Sequence, residues 1–181
     1  MKPAAFDYVR AESLDEALGV LAAEGGDARI LAGGQSLMAM LNMRLAKPEV
    51  LIDIMRLAEL DRIEDESGTV TVGAGVRQAT LMAWPGLGAK LPLAALALPW
   101  TGHVQTRSKG TVCGSIAHAD PSAEMPLVLL ALGGSVHLRS AKRRRRLAAG
   151  DFLTGMMATA RADDELIEAV SFPVVAGGRC A

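Results

Sequence analysis

Two stretches of this chain carry residue types and spacings that could do chemistry. They are Leu31-Ala-Gly-Gly-Gln-Ser36 and Thr111-Val-Cys-Gly-Ser-Ile-Ala-His-Ala-Asp-Pro-Ser-Ala-Glu124. Each puts small residues where a β-strand is expected to end, so the main chain is left bare. Glycine tolerates φ > 0 and has no Cβ, which lets successive N–H groups converge on one anion without steric penalty. Gly33-Gly34 alone would be read as an ordinary strand-to-helix turn. As a concave nest backed by the following helix start, the same residues could hold a pyrophosphate. Two such segments in one domain point to a ligand with an extended polar spine, such as a dinucleotide.

Other constellations are incomplete. His118, Asp120 and Glu124 could be taken for a metal or catalytic cluster, but His103 and His137 add no His-x-x-x-His spacing, so no metal site is expected. Gly73-Ala-Gly-Val-Arg-Gln78 imitates a dinucleotide fingerprint but has Gln78 at its third glycine, and reads better as a turn into a helix. No phosphate-binding Gly-x-x-x-x-Gly-Lys loop and no Gly-x-Ser-x-Gly elbow is present. Lys142 to Arg146 form a basic run. A solvated hairpin turn and edge strand, where Lys and Arg discourage edge pairing, explains it better than a nucleic-acid surface.

The elements that must position these residues follow from patterning. Phe6 to Val9 reads as a short strand. Ser13-Leu-Asp-Glu16 is a capping box, in which Glu16 should reach back to the cap amide. The helix it opens carries Leu14, Ala17, Leu18 and Leu21 on one face and should stop near Gly25-Gly26. Strands at Ala28–Leu31 and Val50–Ile54 flank a brief helix through Met40 and Met43, an order that predicts a small parallel sheet. From Ile63 the texture changes. Strands at Thr69–Val72, Ser135–Arg139, Arg144–Leu147 and Leu166–Val174 predict an antiparallel sheet. Helices are expected over Arg77–Ala83, Leu91–Leu98 and Ala123–Leu132, the last tolerating Pro126 in its first turn. The lobe boundary is expected near Leu57 to Asp61.

Bulk properties narrow the class. The 181 residues are half hydrophobic with net charge −1, which excludes disorder and a polyanion-binding surface. Six aromatic residues give bases few stacking platforms, so no nucleic-acid partner is expected. The two cysteines, Cys113 and Cys180, are no disulfide framework and cannot ligate an iron–sulfur cluster, which usually takes four. Nothing reads as a secretory leader, and Met125 to Leu132 is far below a membrane span. A reducing cytoplasm is the expected compartment.

The longer wording of both segments adds a resemblance. Ala-Gly-Gly-Gln-Ser-Leu, followed by Asn42-x-Arg44 and Pro48-x-x-Leu-Ile-Asp53, resembles the first flavin signature of the FAD-carrying medium subunits of molybdenum hydroxylases. The second segment resembles Thr-Val-Gly-Gly-Ser-x-Ala-His-Ala-Asp-Pro-x-Ala-Glu, departing at Cys113, where the first of two glycines is usual. If that position needs φ > 0, a Cβ there adds strain.

This resemblance runs from about Phe6 to Val174 and implies an α+β, two-lobed, PCMH-type FAD-binding fold. Its lobes would be a small parallel or mixed one, residues 1–57, and a larger antiparallel one with flanking helices, residues 58–181. Such subunits continue for roughly a further hundred residues, so the family C-terminal domain is expected to be absent here. The implied cofactor is FAD, bound by Ala32, Gly33, Gly34, Gln35, Ser36, Leu37, Thr101, Thr111, Val112, Cys113, Gly114, Ser115, His118, Glu124 and Leu166. Thr111, Gly114 and Ser115 would approach the diphosphate or ribityl chain, Glu124 would accept from ribityl hydroxyls, and His118 would lie beside the flavin. The implied partners are a molybdopterin-binding large subunit and a 2Fe-2S small subunit, with the electron acceptor open and no catalytic acid or base needed. A flavin-free binding module or a stand-alone flavin oxidase of the same fold are the rival readings.

Overall fold

In the computed structural model, which describes residues 2–174, Asp7–Arg10 form β1 and Ser13 caps helix α1 (Leu14–Glu24). Ser13 Oγ accepts from the Glu16 amide at 3.1 Å. The Glu16 carboxylate accepts from the Glu12 amide at 2.7 Å, one residue before the cap amide that a capping box would use. Leu14, Ala17, Leu18 and Leu21 form the buried stripe, and the helix ends at Gly25 with φ of 53°. β2 (Ala28–Leu31), α2 (Leu37–Asn42) and β3 (Val50–Asp53) complete a three-stranded parallel sheet in the order β1-β3-β2.

A single turn at Ala58–Leu60, which buries Leu60, leads into β4 (Ile63–Glu66) and β5 (Thr69–Gly73). Five helices follow: α3 (Gln78–Ala83), α4 (Leu87–Lys90), α5 (Pro92–Ala97), α6 (Val104–Lys109) and α7 (Val112–His118). After α8 (Glu124–Ala131) come β6 (Ser135–Arg139) and β7 (Arg144–Ala148), then α9 (Ala149–Phe152), the short ribbon β8 (Leu153–Gly155) and β9 (Ala158–Thr159), and β10 (Leu166–Pro173). The second sheet is antiparallel throughout, in the order β4-β5-β10-β6-β7. Its inner face presents Val70, Val72, Val136, Leu138, Val170 and Phe172 to the core, as the period of two requires. On the opposite face, Ser171 Oγ bonds to His137 Nε2 at 2.7 Å and to Thr71 Oγ1 at 2.9 Å.

Several expectations change. The second signature does not end a strand: Thr111 follows α6 and caps α7, so its small residues are a helix start. β4 was not anticipated, because its Glu64, Asp65 and Glu66 lie exposed on a sheet edge and leave no apolar alternation. The short α4, α6, α9 and the β8–β9 ribbon were also not anticipated, being below the length at which periodicity is readable. The basic run does form the hairpin and edge strand β7, with one added role. Arg145 grips the fully buried Glu165 carboxylate through Nε and Nη2, each at 2.7 Å. Burial pushes that carboxyl up, but Arg145, the Ala162 amide and Arg143 outweigh it and hold it below its ordinary range.

Candidate functional site

A cleft of about 490 Å³ opens along the edge of β2, within the size range of ligand pockets. Its first wall is the turn from β2 into α2. Gly34 holds φ of 69°, and Gln35 Nε2 donates to Gly33 O at 3.1 Å. No main-chain carbonyl among the described residues accepts from the amides of Gly33, Gly34, Gln35 or Ser36. These are the free donors a nest requires. Gly33 is small for a different reason: a Cβ there would overlap the Lys109 carbonyl oxygen and lie 2.5 Å from Gly110 Cα. The turn is thus pressed against the backbone just before α7.

The second wall is α7. Thr111 Oγ1 accepts from the Gly114 amide at 3.0 Å, an N-cap that ties the first turn together. Cys113 faces inward, its Sγ donating to Val72 O at 3.5 Å. Burial pushes its thiol up to about 12, with a backbone hydrogen bond at Val170 acting in the other direction. The position is helical and not left-handed, so the strain suspected from the glycine pattern does not arise. At its far end α7 stops on Ala119, φ 51°, whose carbonyl accepts from Met157, itself at φ 53°, at 2.9 Å. Two strained residues therefore hold the β8–β9 turn against the cleft.

Of the positions implied by resemblance, Ala32, Gly33, Gly34, Gln35, Ser36, Leu37, Thr101, Thr111, Cys113, Gly114, Ser115, His118 and Leu166 line the cleft. Val112 is buried in the core and Glu124 opens α8; neither is in the lining, although Ala123 is. Asp120 also faces the cleft, its carboxylate held by the Ser122 amide at 2.8 Å and hydroxyl at 2.7 Å, which lowers its pKa.

Sequence reasoning passed over Arg29, Gln78, Met157 and Arg161 as site residues, and all four lie in the lining. Arg161 donates to the carbonyls of Ala162 at 2.8 Å and Glu165 at 2.6 Å, while burial and the nearby Arg29 lower its pKa. Gln78 Oε1 and Thr101 Oγ1 are buried without a hydrogen-bond partner among the described residues. Thr101 is fixed by Arg107, whose Nη1 donates to the carbonyls of Pro99, Thr101 and Gly102 at 3.2, 3.0 and 2.9 Å. Only Gln78 had a visible signal, as the odd residue closing the Gly73-Ala-Gly segment.

Free amides in a turn, two orphaned polar side chains and two arginines along one cleft suit a ligand that is anionic in part and hydroxylated in part. The residues present fit a flavin dinucleotide. The fold and cleft define an α+β dinucleotide-binding domain. The chain belongs to the family described as the FAD binding domain in molybdopterin dehydrogenase, which it matches over residues 4–175. It is 40% identical over 178 residues to the 6-hydroxypseudooxynicotine dehydrogenase complex subunit alpha of Paenarthrobacter nicotinovorans, covering 98% of this chain and 60% of that protein. It is 36% identical over 178 residues to the carbon monoxide dehydrogenase medium chain of Hydrogenophaga pseudoflava, covering 98% and 62%. Carbon monoxide dehydrogenase from Hydrogenophaga pseudoflava lacking the Mo-pyranopterin moiety superposes with a TM-score of 0.94 at 37% identity, over 98% of this chain and 62% of that one. Quinoline 2-oxidoreductase from Pseudomonas putida 86 gives 0.94 at 37%, over 97% and 61%. The chain spans about three fifths of the length of these relatives. FAD is the cofactor of this domain.

Proposed function

We propose that this domain is the flavin part of a molybdenum-containing hydroxylase, relaying electrons from 2Fe-2S clusters of a small subunit to an external acceptor. Its other partner is a molybdopterin-binding large subunit, and the complex works in the cytoplasm. The observation that carries this reading is the likeness over nearly the whole chain to medium chains of dehydrogenases, joined to a cleft whose residues suit the cofactor. When bound, FAD supplies the redox chemistry, exchanging electrons singly or in pairs.

This chain's residues bind and orient. The free amides of Gly33 to Ser36 hold the diphosphate, and Arg29 and Arg161 lend the cleft positive charge. Thr111, Gly114 and Ser115 line the path of the ribityl chain, with His118 beside the flavin. Glu124, at the start of α8 and outside the cleft lining, could accept from the ribityl hydroxyls only if its side chain turns toward Ala123 and the cleft. No side chain serves as acid or base. Residues 1–57 and 58–181 act as the two lobes around the cofactor. Among the described residues no helix is long and apolar enough to cross a membrane.

Absorption spectra of the purified protein, with and without added FAD, test the reading. Flavin bands that survive gel filtration, and reduction of that flavin by co-purified partner subunits, are the expected results. A protein that binds no FAD at any concentration would overturn it.

A further inference from the structure

We infer that Gln78 positions the cofactor, its side-chain oxygen accepting a hydrogen bond from a hydroxyl of the ribityl chain. This rests on the FAD reading above. Gln78 is the first residue of α3, and its main-chain amide donates to Gly110 O at 2.9 Å. At the first turn of a helix a glutamine side chain ordinarily lies in water. Here it is 4% exposed and lines the cleft, and its Oε1 has no partner among the described residues. An unpaired buried amide oxygen is a penalty that the folded protein carries for no gain in packing. A methionine would occupy the same volume without it.

The location says what the oxygen is for. The Cβ position at Gly110 lies 3.4 Å from Gln78 Oε1 and 3.5 Å from Gln35 Cγ. Gly110 immediately precedes the Thr111 cap and abuts Gly33. The amide therefore stands where the two signature segments meet, beside any ligand that bridges them. An acceptor there needs a donor. At neutral pH the diphosphate offers none; among the donors of FAD, the hydroxyls of the ribityl chain are the ones the proposed function places beside Thr111, next to Gly110. Thr101 Oγ1, the second orphan of the cleft, can donate or accept and so does not discriminate. An amide turned over would instead aim its NH2 at the phosphates, and the two arrangements predict opposite responses to a carboxylate.

Gln78→Met and Gln78→Glu separate the possibilities when the FAD dissociation constant and the melting temperature of the apoprotein are both measured. Gln78→Met should raise the apo melting temperature, since an unpaired polar group is gone, and weaken FAD roughly five- to tenfold. Gln78→Glu keeps an acceptor and should stay within about threefold of the parent. A Met variant that binds FAD as tightly as the parent overturns the inference. A Glu variant that binds more weakly than the Met variant overturns the ribityl assignment, because only an anion facing phosphate behaves so. If the parent itself binds no FAD, the proposed function fails first, and Gln78 falls with it.

Discussion

The two flavin signatures look alike as sequence, small residues around a glycine pair or its remnant, yet they reach the cleft by different physics. The Gly33-Gly34 turn is irregular backbone. One glycine is needed for its left-handed φ of 69° and the other for close passage of Lys109 and Gly110. The Thr111–Ser115 segment is regular helix, held by a side-chain cap, and its side chains divide between core and cleft. In the turn a side chain is excluded by main chain. In the helix it is excluded, if at all, by one movable hydroxyl. Glycine in the first is thus a requirement of the protein's own backbone, and in the second a local choice.

The sharpest way to break that contrast is Gly33→Val. Its Cβ would overlap main-chain atoms that cannot rotate away, so the β2–α2 turn and the start of α7 must part. A loss of about 3 kcal/mol or more is expected in the apoprotein, at the upper end of overpacking, together with loss of FAD binding. Intact apo stability with FAD lost would mean that the ligand excludes the side chain there. Gly34→Ala should be milder. Leu31 Cδ1 and Met38 Cγ, each 3.3 Å from the new Cβ, are side-chain atoms that can yield, leaving left-handed strain of about 1–2 kcal/mol. Chemical denaturation of both apoproteins ranks them, and equal losses would remove the distinction between close passage and φ.

The same contrast explains what was legible beforehand. The parallel sheet could be read from strand, helix, strand order, and β10 from its bulky β-prone residues. α7 could not, because Thr111-Val112 is β-branched and the cap bond that makes it a helix start spans only three residues. The turn carries a constraint besides the nest of free amides. Gly33 answers to Lys109 and Gly110, far along the chain, and no local pattern contains that encounter. Arg29, Met157 and Arg161 carry no local signal for the same cause. Each lies in an ordinary-looking segment and becomes a cleft residue only through tertiary folding.

Cys113 tests the helical side of the comparison. A glycine pattern suggests that Cys113→Gly should relieve strain and tighten FAD. The structure predicts the reverse for stability, a loss of about 1 kcal/mol from poorer helix propensity and lost burial, with FAD affinity unchanged. The thiol supplies a pH signature. With its folded pKa pushed up to about 12, it stays protonated while the unfolded chain ionises from about pH 8.5. Its contribution is whole below that pH and is lost as pH rises toward 12. Part of the alkaline fall in stability should therefore vanish in the glycine variant. Tighter FAD binding by that variant would restore the strain account.

The smallest expected effect is the most discriminating. Gly114→Ala places a Cβ 2.7 Å from Thr111 Oγ1, so the cap hydroxyl must turn away from the Gly114 amide. Losing that cap costs about 1 kcal/mol, while exchanging glycine for alanine within a helix returns about the same. The net change in apo stability should lie within about 0.5 kcal/mol of zero. On a Thr111→Ala background both the cap and the clash are already gone. There the same substitution should stabilise by about 1 kcal/mol, so the two changes are coupled rather than additive. A double-mutant cycle by thermal denaturation measures this directly. Additive effects would show that backbone, not the Thr111 hydroxyl, excludes a side chain at Gly114, and the helix start would then obey the same rule as the Gly33 turn.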